Sequence, residues 1–136
     1  MEVKFTVYGD PKPQARHRST KSGHNYDPSA AKKKSFAQVI QEYRPEKPFE
    51  GPLMIMLKFY FRRPNAHYKS GNRERGLKEN APILYTSKSR NDWDNLGKLV
   101  CDAMNGIMYL DDGQIAKAGV MKLYGKPRTE VTIKEI

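Results

Sequence analysis

Apolar positions along this 136-residue chain follow two periods, and the change from one to the other outlines the fold. Val3 to Tyr8 alternates β-branched and aromatic residues with polar ones, the period of a strand. Asp27-Pro28-Ser29 marks a helix start, and the spacing behind it predicts a helix from about Ser29 to Tyr43 that buries Phe36, Val39, Ile40 and Tyr43. Pro45, Pro48 and Pro52 forbid its continuation. Leu53 to Phe61 is nearly continuous apolar sequence broken only by Lys58, which predicts a central strand covered on both faces. The clearest element follows much later. Leu96, Leu99, Val100, Ala103 and Met104 form one helical stripe, stopped by Asn105-Gly106. Ile107 to Leu110 then reads as a short extended return to a turn at Asp111-Asp112-Gly113. Two strands, roughly Gln114 to Tyr124 and Thr129 to Ile136, close the chain across Gly125-Lys126-Pro127. The order β-α-β-α-β-β predicts a single α+β domain over residues 1–136, with two main helices on a mixed β-sheet. Between Arg62 and Arg90 the chain is a long polar connection with only Leu77 and Ile83-Leu84-Tyr85 to pack. Unstructured connections of that length are uncommon in small domains, and many that occur are functional.

Charge sharpens this outline. The formal net charge is +10 and it is unevenly placed. Asp10 to Lys34 carries seven Lys/Arg and two Asp, and Arg62 to Arg90 carries eight Lys/Arg and two Glu. Those two segments hold +5 and +6, so the rest of the chain sums to −1. Such a one-sided excess reads as an electrostatic footprint for phosphates, against the alternative of a merely solubilising surface. No apolar run reaches the ~20 residues of a membrane helix, and Met1-Glu2-Val3-Lys4-Phe5 has no signal-peptide core. Cys101 is the only cysteine; it makes no internal disulfide, reads as a small buried apolar residue, and makes a reduced cytoplasmic location the default.

Against that basic background, five of the seven aspartates fall between Asp92 and Asp112. Carboxylates brought close together raise the cost of ionising one another, so their gathering suggests a cation between them. Each has a structural alternative. Asp92 and Asp94 flank Trp93 where a helix begins, and Asp is a favoured cap and first-turn residue. Asp111-Asp112-Gly113 is turn composition. The arrangement favours chemistry, because about three helical turns and a short return bring Asp112 back towards Asp92 and Asp94. Three converging carboxylates make a hard oxygen site suited to Mg²⁺ or Mn²⁺, able to activate water and hold a phosphate oxygen. Lys98, one turn beyond Asp94, either sets an ammonium beside that phosphate or pairs with Asp94 and Asp102 along the helix. His17, His24 and His67 lie in basic loops without ligand spacing and read as facing solvent or DNA. The pattern does not decide whether Trp93 packs in the core or shapes the site. Glycine-rich phosphate loops, zinc patterns and nucleophile elbows are lacking from the sequence.

Asp92-x-Asp94-Asn95-Leu96-x-Lys98, Asp102-Ala103-x-Asn105-Gly106 and Asp111-Asp112-x-Gln114-Ile115 together resemble the core of the RusA family of Holliday junction resolvases. Gly9-x-Pro11-x-Pro13 with Arg16 and Arg18 resembles that family's N-terminal segment. The resemblance implies a small homodimeric endonuclease, bacterial or prophage-encoded, that nicks two strands of a four-way DNA junction symmetrically with Mg²⁺, for which Mn²⁺ substitutes. It implies Asp92, Asp94 and Asp112 as metal-binding catalytic carboxylates, Lys98 as the catalytic lysine, and Asp102 and Asp111 as accessory positions. Lys12, Arg16, Arg18, Arg73, Arg75, Lys88 and Arg90 would then grip DNA phosphates, with salt-dependent binding. A two-fold dimer suits a substrate that needs two symmetric cuts. The competing readings are a non-catalytic basic nucleic-acid-binding protein whose aspartates are caps and turns, and a metal-dependent nuclease acting on other branched DNA or on RNA.

Overall fold

A computed structural model describes residues 1–15, 18–19, 23 and 25–136. Strand β1 (Glu2–Tyr8) leads through Pro11 and Pro13 to two-residue strands β2 (Arg18–Ser19) and β3 (Asn25–Tyr26), paired antiparallel. Helix α1 (Ala30–Val39) tightens into a 3-10 turn at Ile40–Tyr43. Strand β4 (Leu53–Phe61), helix α2 (Trp93–Met104), strand β5 (Ile115–Tyr124) and strand β6 (Arg128–Glu135) follow. The main sheet runs β1-β6-β4-β5, with β4 and β5 parallel and the other pairs antiparallel. This is the mixed α+β arrangement that the two apolar periods predict.

The β4 pattern departs from its prediction in one respect. Leu53, Ile55, Leu57, Phe59 and Phe61 are buried, whereas Met54, Met56, Lys58 and Tyr60 are half-buried. The strand is central in the hydrogen-bond ladder yet packed hard on one face only. Side chains alternate across a strand, so a run with few polar residues still sends half its members to the open face. There Met56 lies over Gly119, where a Cβ would stand 2.6 Å from its methyl group. The guanidinium of Arg128 sits 3.5 Å above the Tyr60 ring on the same face.

Helix α2 supplies the opposite layer. Leu96, Leu99, Val100, Ala103 and Met104 are all buried, and each large apolar side chain removed from water stabilises the fold by about 1.5–3 kcal/mol. Gly97 of this helix faces the sheet, where an added Cβ would meet Leu57 at 3.8 Å and Val120 at 3.9 Å in ordinary contact. Helix α1 buries less than its spacing predicts. Phe36 and Ile40 enter the core, but Val39 and Tyr43 are 49% and 37% exposed. Val39 sits on the side of α1 away from the core, and Tyr43 stacks at the margin on Phe5, 5.2 Å between centroids.

Two further stretches differ from expectation. Residues 107–110 form a turn rather than an extended piece. Met108 donates its N–H to Met104, Gly106 to Tyr109, and both Met108 and Tyr109 are fully buried. Gly106 takes φ 78°, the left-handed conformation that ends α2 as its Asn-Gly signal predicts. The 62–90 connection is also structured. It holds 3-10 turns at Asn65–His67, Lys69–Gly71 and Arg73–Arg75, and a bridge between Tyr68 and Leu77. Its end pairs with β5: Tyr85 donates to Lys122 O and Tyr124 to Ile83 O, both at 2.9 Å. Leu77, Ile83 and Leu84 remain largely exposed, while Tyr85 packs on Phe61 with centroids 4.0 Å apart.

Candidate active site

The site is built where α2 begins and where the chain returns to β5. Asn91 immediately precedes the helix with φ 58°, a left-handed backbone that Asn tolerates better than most residues. It is held from two sides. Lys122 Nζ donates to the Asn91 carbonyl at 2.9 Å, and Asn91 Nδ2 donates to the Tyr85 hydroxyl at 2.9 Å. Asp92 then occupies the helix-cap position, yet its side chain accepts no capping hydrogen bond. The cap explanation of Asp92 thus lacks the bond it requires. Among the described residues Asp94 Oδ1 accepts only the N–H of Asn95, at 2.9 Å. Both carboxylates are exposed. Trp93 between them is 63% exposed, so it shapes the surface and does not fill the core.

The return turn is fixed more tightly. Asp111 Oδ2 accepts the Gly113 N–H at 2.8 Å, and the side chain of Gln114 bonds back to the main chain, so the two form a reciprocal cap. Gln114 Oε1 accepts from Leu110 N at 2.8 Å and Asp111 N at 3.0 Å. Its Nε2 donates to Phe49 O at 2.8 Å and Gly51 O at 3.0 Å. One amide therefore ties the turn to the entrance of β4. A Cβ at Gly113 would stand 2.7 Å from Asp111 Oδ2, so a larger residue would displace the carboxylate from its capping bond. Asp111 has a structural task in the turn, and Asp112 is the residue of the pair that lines the hollow beside α2.

Asp94, Lys98 and Asp112 line one hollow of ≈ 290 Å³ floored by Leu57, Gly97, Cys101, Ile115 and Val120. Asp92 is not among its walls, and among the described residues no three acidic, histidine or cysteine side chains stand grouped to hold a metal. Burial, then Asp111 and Asp102, hold the Asp112 carboxyl above the usual carboxylate range, with Lys98 opposing them. Lys98 lies 3.6 Å from Asp102, its partner one turn on, and no ion pair joins it to Asp94 among the described residues. Asp102 also meets Lys33 of α1 at 3.8 Å, and Lys33 pairs with Asp27. Burial pushes the Cys101 thiol up to about 11, so it is inert as a nucleophile at neutral pH.

The basic positions divide. Lys12, Arg73, Arg75, Lys88 and Arg90 are exposed. Arg16 lies outside the described residues, as do His17 and His24, and the Arg18 side chain is not described. Pro11 to Ala15, which carries Lys12, is tied down: Gln14 N donates to Asn95 O at 2.9 Å, and Ala15 N to Ser29 Oγ at 2.7 Å. His67 is not solvent-facing as expected. It is half-buried, edge-on to Tyr124 at 4.6 Å, because the 62–90 connection folds back on β5.

A family model described as endodeoxyribonuclease RusA matches residues 8–134. The chain belongs to the RusA endodeoxyribonuclease family. A relative from Bacillus subtilis (strain 168), named only as the uncharacterized protein YqaN, is 37% identical over 140 residues, covering 98% of this chain and 96% of its own. RusA membership carries endodeoxyribonuclease activity with it, and divalent-metal dependence is general among such nucleases. The donors here suit that class. Mg²⁺ keeps several waters and binds through one or two carboxylates, and two carboxylates with a lysine share the hollow. Among the described residues no helix is long and apolar enough to cross a membrane. Sequence reasoning about this RusA-family chain missed Gln114 as an anchor, Lys33, and the Tyr85–Asn91–Lys122 clasp. Gln114 stands in the quoted motif but has no chemistry of its own, and the others act through partners distant in the chain.

Proposed function

We propose that this RusA-family protein is a divalent-metal-dependent endonuclease that resolves four-way DNA junctions by paired symmetric nicks. It acts as a homodimer in the cytoplasm of a bacterium, in DNA recombination and repair. The observation that carries the reading is the meeting of Asp94 and Lys98 from α2 with Asp112 from the return turn around one hollow. Two of the three expected carboxylates and the expected lysine share it, in a protein of net charge +10. Asp94 and Asp112 would hold the metal, with Asp92 completing the set from the helix start. When bound, Mg²⁺ or Mn²⁺ supplies an activated water and charge stabilisation at the phosphate.

The chain's own residues then have distinct tasks. Lys98 neutralises a non-bridging phosphate oxygen, and Asp102 holds that ammonium in place from one turn away. Asp111 and Gln114 fix the backbone that carries Asp112. Lys12, Arg16, Arg18, Arg73, Arg75, Lys88 and Arg90 grip the arms of the junction. A two-fold dimer presents two such sites to a two-fold substrate.

The test is incubation with a labelled four-way junction, a fork and a linear duplex, with and without Mg²⁺, alongside Asp94→Asn. Paired nicking of the junction alone, dependent on metal and lost by about a thousandfold in Asp94→Asn while binding persists, is the expected result. Binding without cleavage under every metal makes the protein a non-catalytic binder. Comparable cleavage of fork or duplex keeps the chemistry and removes the junction.

A further inference from the structure

We propose that the hollow beside β5 lined by Arg62, Arg63, Ser87 and Arg90 is a second phosphate subsite, which holds a backbone phosphate of the cut strand near the scissile one. The inference rests on the reading of the carboxylate hollow as the cutting site, and it deepens that reading by naming where the strand is held. The cavity is ≈ 510 Å³, and three guanidiniums and the hydroxyls of Thr86 and Ser87 line it without any acidic side chain. Its cations are not equivalent. Arg63 is fixed, with Nη1 donating to Pro82 O at 2.8 Å and its guanidinium 5.5 Å from the centroid of Tyr124. Arg62 and Arg90 are exposed and make no hydrogen bond or ion pair among the described residues. One guanidinium built into the wall and two free ones at the rim are what a doubly contacted anion needs.

The floor explains why this cavity belongs with the chemistry. Tyr85 stacks on Phe61 and meets Tyr124 edge-on at 5.3 Å, so the wall is rigid. The same Tyr85 takes a hydrogen bond from Asn91, whose carbonyl Lys122 holds. The residue after Asn91 is Asp92. Arg90 precedes Asp94 by four residues, at most about 14 Å between Cα atoms. A phosphate seated on Arg62, Arg90 and Ser87 thus belongs to the stretch of strand that passes Asp94 and Lys98, and the Tyr85–Asn91 clasp ties the wall of this hollow to the start of α2.

Single neutral methylphosphonates placed along the cut strand of a four-way junction test this, with affinities measured in EDTA for the intact protein, Arg62→Ala and Arg62→Lys. Neutralising one phosphate near the cut should weaken the intact protein about tenfold, and neutralising the others much less. The same replacement should leave Arg62→Ala, already weaker by a similar factor, unchanged, while Arg62→Lys keeps part of the sensitivity. Cleavage and junction binding that persist with Arg62→Ala losing nothing, or losing equally at every replaced phosphate, overturn the subsite and leave the nuclease reading intact. Competition by millimolar inorganic phosphate with no position-dependent loss would mark a free-anion site and also overturn it. Failure of the intact protein to bind or cut any DNA overturns the nuclease reading, and the subsite with it.

Discussion

Two neighbours of strand β5 are built on opposite principles. At its start, the turn carrying Asp112 is held by side-chain bonds to backbone, and one glutamine amide makes four of them. Beside its end, the 62–90 connection returns to pair through Ile83 and Tyr85, yet many of its cations extend into solvent. A carboxylate that must meet a metal works only if its position is set beforehand, because misplacement by about 1 Å can cost a hundredfold in rate. A cation that meets a DNA phosphate works over a range of positions, because the attraction is long-ranged and largely independent of direction. The contrast predicts that damage to the turn costs stability and activity together, whereas damage to the arm costs only affinity.

The largest effect should come from Gln114→Ala. It removes two acceptors' partner and two donors' partner at once, leaving Phe49 O and Gly51 O without the amide that links them to the turn. A loss of about 2–3 kcal/mol in chemical denaturation is expected, with cleavage reduced about a hundredfold as Asp112 loses its frame. Gln114→Glu retains the acceptor to Leu110 and Asp111 but not the donor, and should fall between the two. An Ala variant with native stability and native cleavage would break the contrast at its stronger end.

Lys33→Met comes next, and it sharpens the boundary between framework and site. Lys33 spans from α1 to Asp102 of α2 and to Asp27, and all three side chains are about one-fifth exposed. Removing the ammonium leaves two carboxylates partly desolvated and closer to like charge, which costs about 2 kcal/mol. Lys98 should then be drawn more firmly to Asp102, so activity falls further than stability alone explains. Recovery of both in Lys33→Arg would support an electrostatic cause. Unchanged melting in Lys33→Met would make the triad a surface ornament.

How much of this was legible beforehand depends on the distance over which each feature is encoded. The α2 stripe, the β4 run and the Asn105-Gly106 stop are local patterns, and the structure repeats them nearly to the residue. The carboxylates were visible as a cluster because they are charged in a basic chain and close in sequence. The family resemblance ranked Asp112 above Asp111, but no local pattern gives the physical difference between two adjacent aspartates: Asp111 accepts the capping bond from Gly113. The open face of β4 was misread because methionine counts as apolar on either face. The order within residues 62–90 was hidden for another reason: its turns close on local backbone bonds without any apolar period, and its return to β5 rests on partners some 40 residues away.

The smallest effect tests the arm itself. Arg73 lies over Tyr68 with its guanidinium 5.4 Å from the ring centroid, and Arg75 reaches Ser70 Oγ at 3.4 Å. Both residues are exposed, so these contacts compete with water and contribute little to folding. Replacing both by Ala should change unfolding free energy by less than about 0.5 kcal/mol. If both grip phosphate, the dependence of log binding constant on log salt should become shallower by about two, measured on the same junction from 50 to 200 mM salt. A stability loss comparable to that of Gln114→Ala would mean that the arm is framework after all. An unchanged salt slope with native stability would place Arg73 and Arg75 off the DNA path and leave its grip to the residues nearer Asp92.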